Sequence, residues 1–228
     1  MTNETLSLRD RANAFDQVAV DAMVADITAS LARRDVFEAA NGLALDQKNS
    51  YTDGRAVIVK YGNQVARTFL ALSLTPANVF ERKVQSTKMF NAKALKKVAE
   101  VAAYICGDRT KIELVVRAFL CCSIIATERG VDVITNDINK RFLNNASFGA
   151  LIKDKKLQSE IAALRHKFMS GGAETQSSQA RNVLDVLGVG SIMTTHHARD
   201  SIKLNRDHDF VKLFSADYLT SVADKATA

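Results

Sequence analysis

RTKIELVVRAFLCCSIIATER, residues 109–129, is the stretch from which the fold is read. Between 114 and 126 only Arg117 and Ser123 interrupt an apolar run. A run of that length is too short to cross a bilayer, which takes about 20 apolar residues. It is apolar almost all round and longer than an ordinary strand. The pattern predicts a helix at the centre of the core, closed by Gly130.

The rest of the composition agrees with helices. The chain has 228 residues, one proline (Pro76), no tryptophan and ten thinly spread glycines, so helix breakers are scarce. Apolar residues make up 47% and charged residues 25%, which excludes wholesale disorder, a collagen-like chain and a disulfide scaffold. Cys106, Cys121 and Cys122 are odd in number, and two of them are adjacent inside the apolar run. That arrangement predicts inert packing thiols and a cytoplasmic or other reducing intracellular location. The opening MTNETLSLRDRANAF has no apolar segment of the kind a signal peptide needs.

Towards the N-terminus, Leu8, Phe15, Val18, Ala22, Ile27 and Leu31 recur at helical spacing, so 6–34 reads as one long amphipathic helix. A short helix and a loop follow over 35–52. Asp53 then caps a helix to about residue 74, although its AVIVKY portion also suits a short strand. Thr75-Pro76 starts a helix to about 84, and Asn91 caps another that Gly107 ends. In that helix Leu95, Val98, Ala102 and Ile105 share one face, and Lys93, Lys96, Lys97 and Glu100 the opposite one.

Towards the C-terminus, VDVIT has strand character, and Thr135 or Asn136 caps a helix to about 143. A further helix spans 147–169. SGGAETQSS, residues 170–178, reads as a linker. A short helix ends at Gly188, a polar stretch of indeterminate structure covers 194–210, and 211–218 is weakly apolar. The expected fold is therefore all-α, a single compact multi-helix domain around helix 109–129. It divides into an N-terminal amphipathic arm (1–50), a basic helical core (51–170) and a C-terminal segment (171–228).

Charge carries the functional signal. The net charge is +6, but residues 1–50 carry −3, residues 51–170 carry +10 and residues 171–228 carry −1. A local excess of that size attracts anionic polymers. From Arg82 to Lys97 there are six cations (Arg82, Lys83, Lys88, Lys93, Lys96 and Lys97) and no acid, with the hydroxyls of Ser86 and Thr87 between them. Movable positive charge plus hydrogen-bond donors is what phosphate oxygens require. On a helix Lys93, Lys96 and Lys97 would form one stripe. A second group comprises Lys140, Arg141, Lys153, Lys155 and Lys156, with Arg165 and Lys167 beyond it. The two groups together would line a cleft between helices. The competing reading is a solvated basic surface. Phe90 suits a core anchor better than a base-stacking platform.

Other motifs carry less. Residues 135–156 allow a helix-turn-helix with NNAS as the turn and 147–156 as the recognition helix, but Asn139 and Leu143 occupy positions where such motifs prefer small residues. Glu81-Arg82-Lys83 with Asp53, and Asp154-Lys155-Lys156 with Asp137, match the carboxylate–lysine pattern of metal-dependent nucleases. His196, His197, Asp200, Asp207, His208 and Asp209 are rich in ligand types but lack metal-site spacing, and GVGSIM lacks the remaining phosphate-loop residues. No cofactor or metal is expected. The sequence points to a non-enzymatic nucleic-acid-binding protein, DNA or RNA, that self-associates as nucleocapsid or packaging proteins do, with no membrane partner. The alternatives are a helical scaffold whose basic surface meets acidic protein, and a metal-dependent nuclease.

Overall fold

The computed structural model describes residues 6–220 apart from 87, 90, 91, 145, 169–171, 196 and 197. The chain is predominantly helical, in line with the all-α expectation. It divides into two compact units, Met1–Ile112 and Glu113–Ala228.

The first unit opens with α1 (Leu8–Ala14) and α2 (Gln17–Asn41). The expected single helix over 6–34 is broken at Phe15-Asp16. Asp16 leaves helical geometry and accepts a hydrogen bond from the Ala19 N–H at 2.8 Å, which makes it an N-cap and starts a new helix. α2 then runs on to Asn41, where a separate short helix was expected from residue 35, and stops where Gly42 takes the left-handed conformation. These helices are not a separate arm. Leu8, Ala12, Val20, Ile27 and Leu31 are all buried within the unit.

α3 (Leu45–Lys60) and α4 (Gly62–Ala71) follow. Asp53 therefore lies inside a helix and caps nothing, and AVIVKY is helical, not a strand. α5 (Pro76–Phe80) starts as expected, with the Thr75 side chain accepting from the Asn78 N–H, but it ends at Phe80 instead of near 84. The chain then forms a small antiparallel hairpin, β1 (Lys83–Gln85) and β2 (Lys88–Met89), and a 3-10 turn at Ala92–Ala94. The proposed Asn91 cap lies outside the described residues.

α6 (Leu95–Ile105) is the core helix of this unit. Except for Lys96, each of its residues is buried, including Lys97 and Glu100. The expected polar face is thus closed over at Lys97 and Glu100 and open at Lys96. Its run of small residues, AEVAA, lets α1, α3 and α4 pack against it. α3 comes close to α6 at Gly54. An added Cβ there would sit 2.9 Å from Leu95 Cβ and 3.2 Å from the Lys96 backbone nitrogen.

The second unit is built on α7 (Leu114–Glu128), within the expected 109–129 span. Residues 118–127 of it are buried without exception, as a fully apolar helix requires. α8 (Asn136–Asn144) starts where expected, with the Thr135 hydroxyl accepting from the Ile138 N–H at 3.2 Å. The single helix expected over 147–169 is instead α9 (Ala146–Gly149), one turn long, and α10 (Lys155–Phe168), separated by a turn. Asp154 causes the restart by accepting from the Lys156 and Leu157 N–H groups. The expected linker is largely helical, because α11 runs from Gly172 to Val186.

The polar stretch near the C-terminus holds the largest departure from an all-helical reading. β4 (Gly190–Thr195) and β5 (Ala198–Leu204) form an antiparallel hairpin, and β3 (Ile134–Thr135) adds to the other edge of β5. Ile134 and Ile192 both pair with Ile202. α12 (Asp209–Tyr218) completes the unit, with His208 Nδ1 accepting from the Phe210 N–H at 3.1 Å. ADKATA, residues 223–228, which reads in the sequence as a frayed end, lies outside the described residues.

The packing of α3 on α6 makes a direct prediction. Gly54→Ala gains helix propensity of roughly 1 kcal/mol but presses its methyl onto Leu95 Cβ and the Lys96 backbone, where overpacking costs about 1–3 kcal/mol. The variant is expected to be less stable in urea melts. A stability equal to or above the parent would contradict the close approach.

Candidate nucleic-acid interface

The first basic group belongs to the first unit, and its placement is set from α2. Arg34 is fully buried, yet its guanidinium donates to the Phe80 carbonyl at 3.0 Å and to Glu38 Oε1 at 3.0 Å. It also lies 5.4 Å from the centre of the Tyr51 ring. Burial pushes its pKa down, and Glu38 opposes that shift. One turn away, Arg33 and Ser30 both donate to Glu81, at 2.7 and 2.6 Å. These contacts fasten the last residues of α5 to α2.

The chain therefore leaves α5 with its acid already engaged. Arg82 and Lys83, the next two residues, are exposed. The Lys83 ammonium lies 5.2 Å from the centre of the Phe37 ring, so its stem runs along α2 while its charge stays at the surface. Lys88 is on β2, but its side chain lies outside the described ones. Lys93 is half-buried in the 3-10 turn, and Lys96 is exposed at the start of α6. Lys96 has Glu100 at 3.7 Å, one turn further on.

Lys97 departs from the expectation. It retains only 3% exposure, so the stripe of Lys93, Lys96 and Lys97 does not form. The physical reason is that α6 is enclosed by its neighbours, which the lysine spacing does not reveal. Lys97 is not placed to meet a phosphate. Thr87 and Phe90 lie outside the described residues.

The second group lies in the other unit. Arg141 is exposed in the last turn of α8, while the Lys140 side chain is outside the described ones. Lys153, Lys155 and Lys156 are exposed around the turn before α10. That turn is strapped by the C-terminal segment. Lys153 N–H donates to the Tyr218 carbonyl at 2.8 Å, and Thr220 N–H donates to the Leu151 carbonyl at 2.8 Å. Lys153 Nζ also reaches the Ala216 carbonyl at 3.1 Å. Sequence reasoning missed this anchor because the strap comes from more than 60 residues away. Arg165 and Lys167 have no described side-chain position.

The competing motifs take structural roles. Glu81 is held by Arg33 and Ser30, and Asp154 caps α10, so the acid in each Asp/Glu-x-Lys match is engaged with protein donors. Among the described residues no group of three or more His, Cys, Asp or Glu is placed to hold a metal ion. His196 and His197 lie outside the described residues, and His208 caps α12. The helix-turn-helix is overturned, since its second helix is a single turn, Ala146–Gly149. Burial raises the Cys121 thiol to about 12 and the Cys122 thiol well above its ordinary value, as inert packing groups require. No described helix is long and apolar enough to cross a membrane. In comparisons with known proteins, no family model, curated sequence or solved structure matches this chain.

The Glu81 pair supplies a pH prediction. The hydrogen bond from Arg33 holds the Glu81 carboxyl below its ordinary value of 4.5, with Ser30 assisting against the cost of burial. A folded-state pKa below the unfolded one stabilises the protein above the unfolded pKa, and that contribution is lost as pH falls through the folded one. Urea melts are expected to show the parent more stable than Glu81→Gln at pH 7, with the gap closing below pH 4.5. A gap that widens on acidification would contradict the pairing.

Proposed function

We propose that the chain is a non-enzymatic nucleic-acid-binding protein that holds the phosphate backbone. In the first unit the contacting groups are Arg82, Lys83, Lys93 and Lys96, with Lys88 beside them in sequence. In the second they are Arg141, Lys153, Lys155 and Lys156, with Lys140 adjacent. The observation that carries this reading is the separation of charge around the α5–β1 junction. The acid there, half-buried, is engaged by Arg33 and Ser30, while Arg82 and Lys83 are exposed. Such a surface attracts phosphates without reading bases, because phosphate contacts position a polymer and carry little sequence information. Binding is then weakly sequence-specific and steeply salt-dependent. Self-association along the polymer, as in a nucleocapsid, belongs to the same proposal and rests on the basic middle between less basic ends.

The test is a fluorescence-anisotropy titration with labelled single-stranded and duplex DNA and RNA at rising salt. Affinity is expected to fall linearly on a log–log plot, with a slope of about −0.7 to −0.9 per phosphate contact. Replacing Arg82 and Lys83 with Gln is expected to flatten the slope by about 1–2. Glu81→Gln is expected to bind more tightly at low salt, because it deletes a negative charge beside the contact residues. A nuclease would instead cleave with Mg²⁺ and lose activity in that variant. Absence of binding at low salt would remove the proposal and leave the basic surface to acidic protein partners.

A further inference from the structure

A cavity of about 310 Å³ opens within the second unit, away from the basic turn at 153–156 in sequence. Three segments wall it. The C-terminal turn of α7 supplies Ile124, Thr127 and Glu128, the end of β5 supplies Leu204, Arg206 and Asp207, and α12 supplies Val211, Lys212 and Ser215. Its volume sits at the small end of ligand sites, which run from about 300 to 1,000 Å³.

The lining is sorted by chemistry. Ile124, Leu204 and Val211 are each at most 5% exposed and give the cavity an apolar floor. Arg206 and Lys212 are exposed cations at its edge. Lys212 is drawn towards Asp209 only loosely, at 3.8 Å. Glu128 lines the cavity and is half-buried. Burial pushes its pKa upward, and the charge of Arg206 only partly offsets this. A half-buried carboxylate on a cavity wall gains from a cation brought by a ligand, because charge-assisted hydrogen bonds are the strong ones. Asp207 is exposed and adds a second acid at the edge.

We infer that this cavity is a binding site for a small zwitterion with an apolar body, of the size of an apolar amino acid. The ligand's ammonium meets Glu128, its carboxylate meets Arg206 and Lys212, and its hydrocarbon lies on Ile124, Leu204 and Val211. A purely cationic ligand would meet two like charges at the edge. A purely anionic one would bring its charge beside Glu128 and Asp207. The site is independent of the nucleic-acid reading, because none of its residues belongs to that interface.

The experiment titrates the full chain with L-leucine and records amide NMR spectra. In parallel it uses 3-methylbutylamine, which lacks the carboxylate, and 4-methylpentanoate, which lacks the ammonium. Leucine is expected to give saturable shifts centred on residues 124–128, 204–208 and 211–215. The two single-charge analogues are expected to bind at least about ten-fold more weakly, the loss of one charge-assisted hydrogen bond. Glu128→Gln is expected to weaken leucine binding by a similar factor while melting no lower than the parent, because it removes a desolvated carboxyl. No saturable shift with leucine, equal binding of either analogue, or unchanged binding by Glu128→Gln would each overturn the inference.

Discussion

The guanidinium of Arg34 is the constraint on which the first unit's surface depends. A charge that deep is tolerated where an anion and an acceptor meet it. Here Glu38 supplies an anion, the Phe80 carbonyl supplies an acceptor, and Tyr51 supplies a ring face. Tyr51 in turn donates to Asp35, and Asp35 pairs with Arg55 at 2.8 Å. The second half of α2 is thereby tied to α3 and to the end of α5. Removing one member would strand the others without water to replace it, so the arrangement holds as a unit.

The consequence appears at the next residues of the chain. With Phe80 held by Arg34 and Glu81 held by Arg33 and Ser30, Arg82 and Lys83 emerge at a fixed place, and the β1–β2 hairpin carries the chain back to the 3-10 turn and α6. An interior network thus sets the position of an exterior charge pattern. The second unit reaches a similar result differently. Backbone hydrogen bonds from the segment after α12 hold the turn that carries Lys153, and Asp154 starts the helix that carries Lys155 and Lys156. In both places the acid nearest the cations is consumed in local structure.

Much of the helical architecture was legible because burial on all sides leaves a direct mark on composition, as in residues 114–126. Capping was legible at Thr75-Pro76 and at Thr135, where the capping residue sits immediately before the helix. It was misread at Asp53, which has the right chemistry but lies mid-helix, and missed at Asp16 and Asp154, where a cap interrupts an otherwise continuous pattern. The β4–β5 hairpin was missed because its apolar side chains are few; Ile202 and Leu204 alternate with Lys203 over too short a run to stand out. Lys97 was misplaced for a different reason. Spacing on a helix fixes which residues share a face, but tertiary packing decides whether that face meets water, and α6 is covered on the face that bears Lys97.

Lys96 and Lys97 are neighbours of identical chemistry, one exposed and one buried, so they separate a structural account of binding from a compositional one. The measurement is the salt dependence of nucleic-acid affinity for Lys96→Gln and Lys97→Met, each checked for an unchanged helical spectrum. The account predicts that Lys96→Gln flattens the log–log slope by about 0.7 to 0.9, the share of one phosphate, while Lys97→Met leaves it at the parental value. Equal flattening by both, or flattening by Lys97→Met alone, would contradict the assignment of the interface to the exposed cations of this surface.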